Sequence, residues 1–179
     1  MKITEQYRTI GVQEYYQDPN TQATYSNPHA LFIENSLRTI FCENFTEGVT
    51  VLDLACGDGL ISSILKECGV SDIEGSDKYM YERYTNETGF NCYDYSFEDI
   101  ADFNCTFDKH YDVIVCSYAY DIVPESYKQK LLYALSTYTD NLILIRPNSH
   151  IVDNSIWQEL QYCKIEKSRA VLYKKERHS

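Results

Sequence analysis

Val51-Leu52-Asp53-Leu54-Ala55-Cys56-Gly57-Asp58-Gly59 reads as a buried hydrophobic strand that ends in an acid and breaks into a tight Gly-x-Gly turn. Leu60-Ile61-Ser62-Ser63-Ile64-Leu65-Lys66-Glu67-Cys68 comes next, with the apolar spacing of an amphipathic helix. A strand, a glycine turn and a helix in that order bring main-chain amides close to a flat or charged ligand, because glycine has no Cβ to hold it off. The alternative, that Asp53 is only a helix-capping acid, is disfavoured by the glycine turn that comes after it. The choice of ligand rests on the residues around the turn.

Working outward, strands and helices alternate. A helix begins near Ser26-Asn27-Pro28 and carries Ile33, Leu37, Ile40 and Phe41 on one face. Gly48 precedes the first strand, and Gly69 closes the helix after the turn. Further strands are expected over residues 72–76, 90–93, 111–116 and 141–145, with helices over 78–86, from Pro124-Glu125 onward, and near 153–160. Tyr127, Leu131, Leu135 and Tyr138 mark the buried face of the helix after Pro124. Residues 161–166 and 169–173 alternate like a hairpin around a Lys167-Ser168 turn. The pattern predicts an α/β doubly wound, mostly parallel seven-stranded sheet with an antiparallel C-terminal edge hairpin. No linker or repeat divides the 179 residues, which read as a single domain: an N-terminal helical cap or lid over 1–47 and a core over 48–179.

Composition narrows the partners. A net charge of −11 disfavours nucleic acid, whose binders supply a basic stripe to the phosphates. Lys164, Lys167, Arg169, Lys174, Lys175 and Arg177 read as solvated strand faces and a polar tail. The seven cysteines show no C-x-x-C pair and no metal-ligand spacing, as expected of reduced thiols, so no metal site is predicted. No apolar run reaches the ~18 residues of a membrane span, and the expected location is cytoplasmic.

The strand ends carry the chemistry: Asp53 to Gly59, then Asp77 beside Lys78, then Asp94-Tyr95, then Cys116-Ser117-Tyr118. Over residues 30–173 the chain resembles the class I S-adenosylmethionine-dependent methyltransferases. The family's acid followed by Gly-x-Gly-x-Gly stands here as Asp53, Ala55, Cys56, Gly57, Asp58 and Gly59, with alanine for the first glycine. The resemblance implies strand order 3-2-1-4-5-7-6, S-adenosylmethionine as cofactor and S-adenosylhomocysteine as product. It also implies that Asp77 accepts the ribose hydroxyls, that Asp94 reads the adenine amino group, and that the Tyr95 amide serves the ring nitrogen beside it. Cys116 and Ser117 end the strand that matches the family's fourth. Of Tyr79, Tyr81 and Tyr84, only one is needed against adenine.

Charge supports the same ligand. A dinucleotide requires Gly-x-Gly-x-x-Gly, but its third glycine position is Ser62, and a pyrophosphate would meet Asp53 and Asp58. A sulfonium and an ammonium reverse that sign and make the acids favourable. No Gly-Lys-Ser/Thr comes after the turn, which excludes a P-loop.

The methyl acceptor is less legible, because in-line displacement needs alignment more than a fixed catalytic group. The motifs of DNA amino-methyltransferases, cytosine-C5 enzymes, catechol-type enzymes and protein-arginine enzymes are absent. Transfer to an N, O or S nucleophile of a small molecule is the expectation. A tRNA or protein acceptor, or a catalytically silent scaffold subunit, stays open. Tyr118, Tyr16, His29 and His150 are the candidate catalytic or acceptor-orienting residues. Tyr7, Tyr15, Tyr25 and Asn27 join Tyr16 and His29 in the expected lid.

Overall fold

A computed structural model describes residues 30–147 and 154–176. Seven strands form one sheet in the order β3-β2-β1-β4-β5-β7-β6. They are β1 (Thr50–Leu54), β2 (Asp72–Ser76), β3 (Cys92–Tyr93), β4 (Val113–Ser117), β5 (Asn141–Arg146), β6 (Trp157–Ile165) and β7 (Ser168–Lys175). The first five pair in parallel, and β7 runs antiparallel to both β5 and β6.

The period of two in each strand divides the core between two faces. Val51, Val113, Val115, Ile143 and Ile145 lie under helices α1 (Ala30–Asn44) and α2 (Leu60–Glu67), meeting Leu37, Ile40, Ile61 and Leu65. Leu52, Leu54, Ile114, Leu142 and Leu144 lie under α4 (Phe97–Ala101) and α5 (Glu125–Ser136), meeting Ile100, Leu131 and Leu135. The remaining helix, α3 (Tyr81–Thr88), carries the fully buried Tyr84. Because the chain leaves β1 toward β2 but places β4 on the other side, the order reverses between β1 and β4. Ligands of open α/β sheets bind outside the strands' carboxyl ends at such a point.

The sequence reading needs correction at several places. The helix expected near 153–160 is absent: residues 154–156 are irregular, and Trp157 opens β6. Asn154 Oδ1 does accept from the amides of Ile156 (2.7 Å) and Trp157 (3.1 Å), as a helix cap would. The chain nevertheless continues as a strand, because β7 is interior to the sheet and needs a partner on its outer side. The Trp157 indole then donates to the Leu132 carbonyl at 2.9 Å, anchoring β6 to α5. The hairpin turn falls at Glu166-Lys167 rather than Lys167-Ser168, with Glu166 left-handed at φ 53°. The third strand shrinks to Cys92–Tyr93, and the helix placed at 78–86 runs from Tyr81 to Thr88. The five-residue α4 was not anticipated; its Ser96 and Asp99 form a reciprocal capping box at 3.0 and 3.1 Å.

Candidate functional site

The turn after β1 alternates left-handed residues: Ala55 (φ 54°), Gly57 (φ 56°) and Gly59 (φ 100°). Alanine at the first of these positions carries a Cβ where glycine would carry none, which costs about 1–2 kcal/mol. The fold holds it there. The Cys56 amide donates to the Ser76 carbonyl at 3.2 Å, and the Gly57 amide donates to Asp77 Oδ2 at 3.0 Å. The turn at the end of β1 is thereby latched to the end of β2.

Asp77, which accepts the second of these bonds, is buried. Its Oδ1 accepts from the amides of Tyr79 (3.0 Å) and Met80 (2.9 Å), fixing the entry to α3. Burial pushes its pKa up, and the three amide hydrogen bonds oppose that shift. Asp53 is buried more deeply. Its Oδ2 accepts from the Ser62 hydroxyl (2.7 Å) and amide (3.2 Å), and Ser62 Oγ lies 2.8 Å from the Tyr84 hydroxyl. Burial pushes Asp53 up to about 8, despite the hydrogen bonds from Ser62. Asp58 is half-buried, with its carboxylate 3.9 Å from the Arg83 guanidinium.

A cavity of about 170 Å³ opens beside this turn, with Ala55, Asp77 and Lys78 on one side and Tyr95, Phe97 and Ile122 among its other walls. This is smaller than the roughly 300 Å³ at which drug-sized pockets begin, and suits one flat moiety of a larger ligand. Tyr95 is fixed as a wall: its ring stacks on Tyr93 at 5.0 Å, Phe107 packs against it at 5.4 Å, and its hydroxyl donates to the Thr106 carbonyl at 3.1 Å. Two acids, Asp77 and Glu98, with Lys78 and Ser96, share the lining with the apolar and aromatic Leu54, Tyr79, Tyr95, Phe97, Ile122 and Pro124, a mixture that suits a nucleoside's polar sugar and flat base.

The sequence-predicted residues distribute unevenly around this cavity. Ala55, Asp77, Lys78 and Tyr95 line it; Tyr79, one of the three tyrosines weighed for adenine, does too. Cys56, Gly57, Asp58 and Gly59 build the turn behind Ala55, and Asp53 sits beneath it. Asp94 is exposed and outside the lining, while its neighbour Tyr95 is inside. Cys116 is buried in the core, its thiol pushed up to about 12 by burial, and Ser117 is half-buried; neither lines the cavity. Tyr118 is left-handed at φ 57°, and its side chain packs with Ile145 and Ala170 near Ser168. Tyr16, His29, His150 and residues 1–29 of the expected lid lie outside the described residues.

Six lining residues fall outside the sequence-predicted set: Leu54, Ser96, Phe97, Glu98, Ile122 and Pro124. Phe97 and Pro124 come after the ends of β3 and β4, and that position is the signal that could have found them. Also missed was a buried ion pair at the ends of β4 and β5. The Arg146 guanidinium donates to both Asp121 oxygens, at 3.1 Å each through Nε and again through Nη2, and stacks 5.4 Å from the Tyr120 ring. It pins the short 3-10 turn Tyr120–Ile122 and so places Ile122 in the cavity wall.

The fold is similar to that of a solved structure of magnesium protoporphyrin IX methyltransferase from Synechocystis with S-adenosylmethionine bound. The TM-score is 0.69 at 13% identity, covering 98% of each chain. The chain has the class I methyltransferase fold. An rRNA methylase from Escherichia coli shares the methyltransferase fold, at TM-score 0.64 and 12% identity over 97% of this chain and 74% of that one. In sequence, an uncharacterized protein of Schizosaccharomyces pombe is 28% identical over 181 residues, covering 77% of this chain and 72% of that protein. No family model matches.

Proposed function

We propose that the chain binds S-adenosylmethionine and transfers its methyl group to an N, O or S nucleophile of a small-molecule acceptor. The observation that carries this is the Asp77 carboxylate, buried at the end of β2 in the wall of a nucleoside-sized cavity. Asp58 adds a half-buried acid beside the turn, a setting that favours a cationic ligand over a phosphate, while burial holds Asp53 beneath it protonated up to about 8. The cofactor supplies an activated methyl on a sulfonium. Asp77 has lone pairs beyond its three amide hydrogen bonds and accepts the ribose hydroxyls. Leu54, Tyr95, Phe97 and Ile122 exclude water around the base, and Tyr95 supplies the adjacent amide. Magnesium protoporphyrin, the acceptor named for one protein of this fold, supports the small-molecule reading.

Of the segment 1–47 expected as a cap, Ala30–Asn44 form α1, which packs on the sheet, and residues 1–29 lie outside the described residues. Within that segment and after β5, Tyr16, His29 and His150 remain the candidate acceptor-orienting groups. Among the described residues no helix is long and apolar enough to cross a membrane. No cluster of three or more metal-ligating side chains occurs among them either.

One observation favours a second reading, a silent scaffold subunit. The polar groups described at the ends of β4 and β5 are engaged, Arg146 with Asp121 and Tyr118 within the core. Calorimetry with S-adenosylmethionine and S-adenosylhomocysteine tests the shared premise: micromolar binding is expected, and no heat at millimolar ligand overturns both readings. Methyl transfer to a metabolite panel then separates enzyme from scaffold.

A further inference from the structure

The thiols of Cys56 and Cys92 stand 3.5 Å apart, one in the glycine turn and the other on β3. They meet because β2 lies between them and carries no side chain at that point. Cys92 is directly opposite Gly75 in the β2–β3 register. A Cβ on Gly75 would stand 2.8 Å from the Cys56 sulfur and 2.7 Å from the Tyr84 ring, closer than real Cβ contacts come. Cys56 is buried and Cys92 half-buried, so a reagent in solvent has one thiol to enter by and a second behind it.

We propose that Cys56 and Cys92 form a modification site, a dithiol that a small organic disulfide such as oxidised glutathione converts to an intramolecular disulfide. The Cys92 thiolate attacks one sulfur of the glutathione disulfide and releases one glutathione thiolate. Cys56, deprotonated, attacks the Cys92 sulfur of the mixed disulfide and releases the second. The protein dithiol gives up two protons and two electrons, and one glutathione disulfide becomes two glutathione thiols.

A disulfide bond is about 2.05 Å long, so closure shortens the sulfur separation by roughly 1.5 Å. The strain falls on the turn, because Cys56 sits between left-handed Ala55 and Gly57. Closure draws this turn toward β3 and away from the geometry that places Ala55 in the cavity wall. Oxidation then weakens cofactor binding, and bound cofactor disfavours the disulfide at equilibrium by the same coupling. That second consequence rests on the S-adenosylmethionine reading, whereas the disulfide itself does not.

The test is peptide mapping by mass spectrometry of the full chain, equilibrated at pH 8.5 with oxidised glutathione. Alkaline pH is chosen because burial, with the Asp53 and Asp77 carboxylates nearby, pushes the Cys56 thiol up. A Cys56–Cys92 cross-link that dithiothreitol reverses and Cys92→Ser abolishes is the expected result. Its absence in the wild-type chain overturns the proposal, whatever links form elsewhere. Cys42 and Cys68, which also approach each other, are the natural competitor. Calorimetry on oxidised and reduced chains then reads the coupling: a five-fold or greater loss of S-adenosylmethionine affinity is expected, and equal affinities overturn it. A cross-link in a chain that binds the cofactor in neither state leaves the dithiol standing and refutes the cofactor reading.

Discussion

Asp53 Oδ2 and Ser62 Oγ lie 2.7 Å apart, joining the acid of β1 to the first turn of α2 beneath the glycine turn. The Tyr84 hydroxyl completes the group from α3. Three elements that frame the cavity therefore share one buried carboxyl.

That carboxyl makes stability depend on pH. Asp53 holds its proton up to about 8 in the folded chain, against 3.8 for an ordinary aspartate. The unfolded chain releases the proton first, so this contribution is complete below about pH 4 and declines as pH rises to about 8, by at most about 1.4 kcal/mol per pH unit. Asp53→Asn keeps a neutral group of the same shape. Urea unfolding from pH 5 to 9 is expected to show a shallower decline for the variant than for wild type.

Removing the hydroxyl partner acts on the same group. Ser62→Ala leaves Asp53 and Tyr84 each short of a hydrogen bond in a buried site, at a cost of about 1–3 kcal/mol. Denaturant midpoints check this. A Ser62→Thr variant that keeps the hydroxyl is expected to lose less.

Ala55 makes the turn stiffer than it needs to be. Ala55→Gly relieves left-handed strain of about 1–2 kcal/mol but adds roughly 0.4–1 kcal/mol of freedom to the unfolded chain. A net gain of about 0.5 kcal/mol and a small rise in Tm are expected. Ala55→Val is expected to lower Tm and shrink the cavity.

Asp77→Ala removes the acceptor of three amides as well as the ribose partner. Cofactor affinity is expected to fall by about 2–4 kcal/mol, together with a drop in Tm. Calorimetry at a temperature where the variant is fully folded separates the two effects. Unchanged affinity there contradicts the placement of ribose at Asp77.

Arg146→Met leaves Asp121 without its bidentate partner and is expected to destabilise the chain by about 3 kcal/mol. The double variant with Asp121→Leu is expected to recover much of this, because an apolar pair replaces a buried ionic one. Cofactor KM is expected to rise in the single variant through the displaced Ile122.

The sheet was legible because strands buried on both faces read as continuous apolar runs, and because each run ends in a polar or small residue at the site. The features that escaped had non-local causes. Asn154 presents the same cap signal to a helix and to the turn that opens β6, and only the need of β7 for a partner decides between them. Arg146 and Asp121 are 25 positions apart, and no spacing rule joins them. Asp94 and Tyr95 are adjacent in sequence, and it is the Tyr93 and Phe107 rings that turn Tyr95 toward the cavity.

The place of β7 has a consequence for how the chain is made. It is the last of this sheet's seven strands in chain order, yet it lies inside the sheet, pairing β5 along residues 141–146 and β6 along 157–165. Until Ser168 to Lys175 are added, β5 presents an open edge of backbone donors and acceptors beside Leu142 and Leu144. A nascent chain of this fold keeps a sticky edge until β7 is made, and a break within β7 removes the centre of a three-stranded unit rather than trimming a border.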